Sequence, residues 1–102
     1  MKIEISQESE TVCHVAMVGA IGNENAEELR EQFEVILKKE CEEVIFDLTS
    51  VPYMTSSSIG KLLIFYKALM AKNGKMRVSG ISDSLLDNFR LSKFDRLFPI
   101  EQ

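Results

Sequence analysis

Residues 2–6, KIEIS, alternate polar and apolar positions, as a strand with one covered face does. QESE follows as a polar turn, and residues 11–18, TVCHVAMV, are β-rich and apolar on both sides. That pattern predicts a sandwiched or central strand, paired with the first as an antiparallel hairpin. Beyond Gly19 the period changes. Ala26, Leu29, Phe33, Ile36 and Leu37 line one face of a helix over residues 23–39. Asn23 is placed to cap it, Glu24, Glu27 and Glu28 lie near its positive end, and Lys38 and Lys39 close it. Residues 43–48, EVIFDL, form an apolar run broken only by Asp47, which predicts a central strand covered on both faces. Ile59, Leu62, Leu63, Tyr66, Leu69 and Met70 then recur at helical steps of three and four. NG at 73–74 ends that helix, with Gly74 placed to take a left-handed cap. KMRVSG reads as a strand, Ser82 as a cap, and 83–91 as a third helix with Leu85, Leu86 and Phe89 inward. The tail, FDRLFPI, is apolar enough to dock as a last short element.

The order β-β-α-β-α-β-α defines an α/β fold: a small mixed sheet of about four strands, with helices packed mainly on it and two right-handed strand–helix–strand crossovers. A chain of 102 residues holds one such unit, so residues 1–102 are expected to be a single domain. Ligand sites in open sheets of this kind favour the C-terminal ends of the strands, and residues 53–60, YMTSSSIG, follow directly on the EVIFDL strand.

Charge narrows the function classes. The net charge is -4, and the lysines are scattered among acids, so the basic stripe of a nucleic-acid binder is missing. The start, MKIEIS, has no signal-peptide core, and runs such as LLIF at 62–65 are far too short to span a bilayer. Cys13 and Cys41 lack the short spacing of a zinc site or a disulfide framework, which predicts two buried or half-buried thiols in a reducing cytoplasm. No acidic cluster has metal-ligand spacing, and Gly19 and Gly22 do not complete a dinucleotide fingerprint, so no metal or cofactor is expected.

The hydroxyls at 55–58 admit three readings. Thr55 or Ser56 can cap the helix, which needs one hydroxyl rather than four. A phosphate carried here would lie on the free N–H groups at the helix start and add about -1.5 to -2 of charge without unfolding anything. A nucleophile would need a base. TSSSIG is not G-x-S-x-G, and the sole histidine, His14, sits mid-strand as a packing residue, so no catalytic residue is expected.

VIFDLTSV, then PYMTSSSIGKLL, KMRVSGIS and the closing LSKFDRLFPI resemble the STAS domains of bacterial anti-sigma factor antagonists, with VGAIGNENAEELREQF matching the segment into the first helix. The resemblance implies a cytoplasmic, non-enzymatic switch. Such proteins bind an anti-sigma factor that is also a serine kinase, are released when a serine at the helix start is phosphorylated, and are reset by a phosphatase. The family pattern there is Asp-Ser-(Ser/Thr)-Gly, which places Ser56 as phosphoacceptor with Ser57 second, Thr55 at the aspartate and Ser58 at the glycine. Gly22 stands where many members carry another aspartate. The implied partner-binding surface comprises Gly22, Asn23, Asn25, Thr55, Ser56, Ser57, Ser58, Ile59 and Gly60. STAS-like domains also serve as unmodified scaffolds, or as subunits of signalling and lipid-transport ABC complexes. A homodimer through an exposed helix or strand edge stays open, since no symmetric signature marks one.

Overall fold

The computed structural model describes residues 1–101. Strands β1 (Lys2–Gln7), β2 (Val12–Val18), β3 (Glu43–Ser50) and β4 (Lys75–Ile81) form one sheet in the order β1-β2-β3-β4. The hairpin β1–β2 is antiparallel, and the β2–β3 and β3–β4 pairs are parallel, as the two crossovers require. Helix α1 (Ala26–Leu37) makes the first crossover and α2 (Ser56–Ala71) the second. Helix α3 (Asp83–Leu91) and a 3-10 turn (Phe94–Arg96) close the chain.

The core lies on one face of the sheet. Val15 and Met17 of β2, Val44, Phe46 and Leu48 of β3, and Met76 and Val78 of β4 form one cluster with the inward residues of all three helices. At its centre the rings of Phe33, Phe46 and Phe65 meet with centroids 4.8–6.0 Å apart, joining α1, β3 and α2. Phe94 and Phe98 pack on Phe89, so the tail docks through its aromatic residues. The N–H of Val78 donates to Pro99 O at 2.9 Å and that of Glu101 to Val78 O at 2.8 Å, laying the tail along the outer edge of β4.

Four local expectations are corrected. β3 is not covered by helices on both faces: Ile45 is buried but stands outside the core cluster, shielded by its sheet neighbours His14 and Arg77. A residue flanked by two strands loses much of its exposure without a second layer, and this is what made EVIFDL look double-sided. Asn23 does not cap α1. Asn25 turns back to accept the Gly22 N–H on Oδ1 at 3.0 Å, which tightens residues Asn23–Asn25 into a 3-10 turn before the helix begins. At the end of α2 the left-handed residue is Asn73 (φ 63°) rather than Gly74. Asn73 N–H bonds to Met70 O and Gly74 N–H to Leu69 O, a Schellman cap in which Gly74 serves by lacking a side chain: a Cβ there would lie 2.5 Å from Leu69 Cδ1.

The fourth correction concerns the cysteines. Cys13 and Cys41 are not free thiols; they form a disulfide, with α-carbons 6.1 Å apart. The crossover through α1 returns the chain to the start of β2, where the N–H groups of Glu42 and Glu43 both donate to Thr11 O. A spacing of 28 residues in sequence conceals that return.

Candidate functional site

The loops after β2 and β3 leave the same end of the sheet and are stitched together by their backbones. Ile21 N–H donates to Tyr53 O at 3.1 Å, and Thr55 N–H donates to Ile21 O at 3.0 Å. Both strand pairings adjoining β3 shift register near this end, between Ala16 and Val18 and between Phe46 and Asp47. Such shifts turn the strands and end the ladder where the loops begin. Ser82, the cap of α3, donates to Val51 O at 2.7 Å, and Ser84 donates to Pro52 O at 2.7 Å, which ties the third helix to the same loop.

The four hydroxyls divide into two pairs. Thr55 is the N-cap of α2, extended at φ -71° and ψ 161°, and its Oγ1 accepts the Ser58 N–H at 3.4 Å. Thr55 Oγ1 also lies 3.0 Å from Ser58 Oγ, and Ser58 Oγ donates toward the carbonyls of Ile21 and Gly22, each at 3.4 Å. Ser58 is fully buried, the one buried polar side chain among the described residues. Its backbone is helical, so serine meets no strain where the family pattern has glycine. Ser56 and Ser57, in the first turn of α2, are exposed. That turn carries no acidic residue, so its free N–H groups and dipole face outward uncompensated by a carboxylate of their own helix.

The other expected residues are distributed unevenly. Asn23 is exposed and Asn25 half-buried; Gly22 is buried, and Ile59 faces the core. Gly60 is half-buried with open space around its α-carbon. The structure therefore brings the 22–25 and 55–60 segments together, with Asn23, Ser56 and Ser57 presented to solvent and Ser58 and Ile59 inside. His14 is remote from this grouping in role and place: it lies mid-strand beside Ile45, on the sheet face away from the helices.

Three further residues contribute that the sequence does not mark as part of the site. Ile21 is fully buried, and its carbonyl receives both Thr55 and Ser58. A lone apolar residue between Ala20 and Gly22 is the faint signal of such an anchor. Glu24 folds its carboxylate over Gly22, 2.6–2.9 Å from where a Cβ would stand. Tyr53 is 48% exposed beside the site, an aromatic side chain left outside the core.

Comparison with known proteins follows the same outline. The model of the STAS domain matches residues 4–102. An anti-sigma F factor antagonist of Paenibacillus polymyxa is 26% identical over 102 residues, covering 98% of this chain and 87% of the relative. An anti-sigma factor antagonist from Mycobacterium paratuberculosis shares the fold at a TM-score of 0.85 and 19% identity, over 97% of this chain and 83% of that one. The Bacillus cell fate determinant SpoIIAA, solved in its phosphorylated form, does so at a TM-score of 0.76 and 15% identity, over 99% and 92%.

Proposed function

We propose that this chain, which belongs to the STAS domain family, is an anti-sigma factor antagonist that binds an anti-sigma factor through the surface where the 22–25 turn meets the first turn of α2. Ser56 is its phosphoacceptor, with Ser57 second, and the partner is an anti-sigma factor that also acts as a serine kinase. Phosphorylation releases the partner and a phosphatase restores binding.

The observation that carries this reading is the division of the hydroxyls. Thr55 and Ser58 turn inward and complete the fold, which leaves Ser56 and Ser57 exposed with no structural task that the cap requires. A phosphate on Ser56 would sit at the start of a 16-residue helix, where its charge is favoured, so the modified protein stays folded. The same charge, set in the middle of a protein interface, opposes an acidic or apolar partner surface. The function is thus binding rather than chemistry, with the chain as substrate of its partner.

A second reading has its own support. Thr55, at the cap of α2, replaces the carboxylate of the family pattern, and Ser58 ties the site to the 21–22 carbonyls. Both features suit a constitutive scaffold within a signalling or lipid-transport complex. Intact mass and site mapping of the untagged protein, recovered from its own cells under phosphatase inhibition, separate the two. A fraction heavier by one phosphate at Ser56 or Ser57 is the expected result. A single unmodified mass across growth and stress conditions would leave the scaffold.

A further inference from the structure

The hydroxyl chemistry of Thr55 and Ser58 assigns a direction to each bond. Ser58 Oγ has one proton to give. Both of its carbonyl neighbours, Ile21 O and Gly22 O, can only accept, so that proton points to them as a shared bond. The Thr55 hydroxyl proton then points to Ser58 Oγ, while Thr55 Oγ1 accepts the Ser58 N–H. The result is a directed chain from the cap of α2 through a fully buried side chain into the turn after β2.

We propose that Ser58 is a positioning residue: its hydroxyl fastens the 21–25 turn to the first turn of α2, so that Asn23, Ser56 and Ser57 are presented as one pre-assembled surface. The functional value of that surface rests on the reading given under Proposed function; the fastening itself does not. Its role is separable from packing, because neither carbonyl depends on Ser58 alone. Ile21 O also receives Thr55 N–H at 3.0 Å, and Gly22 O receives Asn25 N–H at 3.0 Å. Removing the hydroxyl therefore leaves no carbonyl without a partner, and Thr55, half-buried, can turn its own proton to water. What is lost is the side-chain cross-link between the two segments, with the backbone bonds from Ile21 N–H to Tyr53 O and from Thr55 N–H to Ile21 O left in place. A surface held in its binding geometry before encounter spends less of its contact energy on ordering. Release in such a design comes from added charge rather than from a loop that rearranges.

Hydrogen exchange of the isolated protein, read amide by amide, tests this without any partner. In Ser58→Ala the amides of Ile21, Asn25 and Thr55 should exchange roughly fivefold to tenfold faster, the effect of one lost hydrogen bond. Amides of β3 should be unchanged. Thr55→Val, which removes the outer link of the chain together with the cap bond from Ser58 N–H, should also raise exchange at the same three amides. It also keeps the test available if Ser58→Ala fails to fold. Unchanged exchange at all three, or a rise shared equally with β3, overturns the assignment, since the latter is what general loosening would give. Failure of the protein to carry phosphate in its own cells would count against the switch reading alone and leave the exchange result standing.

Discussion

Thr55 Oγ1 and Ser58 Oγ face each other at 3.0 Å across the first turn of α2, and this contact sets the inward hydroxyls apart from the outward ones. Thr55→Ala removes the cap and should cost about 1 kcal/mol, measured as a lowered urea midpoint. Thr55→Ser and Thr55→Asp, which keep an accepting oxygen at the cap, should retain most of that stability. Ser56→Ala and Ser57→Ala, at exposed positions, should each stay within about 0.5 kcal/mol of the parent.

Ser56→Asp should leave the fold intact, because a carboxylate in the first turn of a helix is favoured by about 0.3–1 kcal/mol at low ionic strength. The expected outcome is an unchanged circular dichroism spectrum with partner capture lost. Ser56→Ala should capture the partner and fail to release it. Equal capture by both variants would argue for the scaffold.

Reduction of Cys13–Cys41 should weaken the fold markedly. A link across 28 residues is worth about 3–4 kcal/mol by loop-closure entropy. The urea midpoint should fall on adding dithiothreitol and should not respond to it in Cys13→Ser. Titration of the unreduced protein under denaturant should find no reactive thiol.

Gly74→Ala should destabilise by about 1–3 kcal/mol, since the added methyl meets the side chain of Leu69, which is itself buried in the core. Gly60→Ala is the matched control. The space around Gly60 is open and its position is helical, so the alanine should be neutral to stabilising by up to about 1 kcal/mol in the same measurement.

Asp47 gives the stability a pH dependence at the acid end. Its carboxyl is held below its ordinary value of 3.8, first by the side-chain hydrogen bond from Thr49, then by the Thr49 N–H at 3.0 Å. A folded-state value below the unfolded one means that the unfolded chain binds more protons in this range. The contribution is therefore present above 3.8 and is lost as pH falls through the lower folded value. Urea midpoints at neutral pH and near pH 3 should diverge more in the parent than in Asp47→Asn, which keeps an accepting oxygen and does not titrate.

The element order and helix placement were legible because each segment carried its own period: alternation in KIEIS, steps of three and four from Ile59 to Met70. Ser82 as the cap of α3 was legible for the same local reason, and its hydroxyl does accept Leu85 N–H at 3.3 Å. What escaped is non-local. Ser58 bonds to carbonyls 36 and 37 residues away, so a run of four hydroxyls gave no sign of which faced inward. The cysteine pair escaped similarly. Ile45 misled in the opposite sense, since it is buried between His14 and Arg77 yet stands outside the core cluster. Asn23 failed as the cap because the chain first makes the 3-10 turn Asn23–Asn25, which the Asn25 side chain closes by accepting the Gly22 N–H.

The tail laid along β4 has a further consequence. Val78 already spends its outward N–H and C=O on Pro99 and Glu101, so that margin of the sheet is closed at its middle to any incoming strand. β1 forms the opposite margin, and among the described residues no segment other than β2 pairs with it. The tail thus withholds the backbone of Val78 from pairing with another chain, and a segment outside the regular strands acts as a guard on the β4 edge at that point.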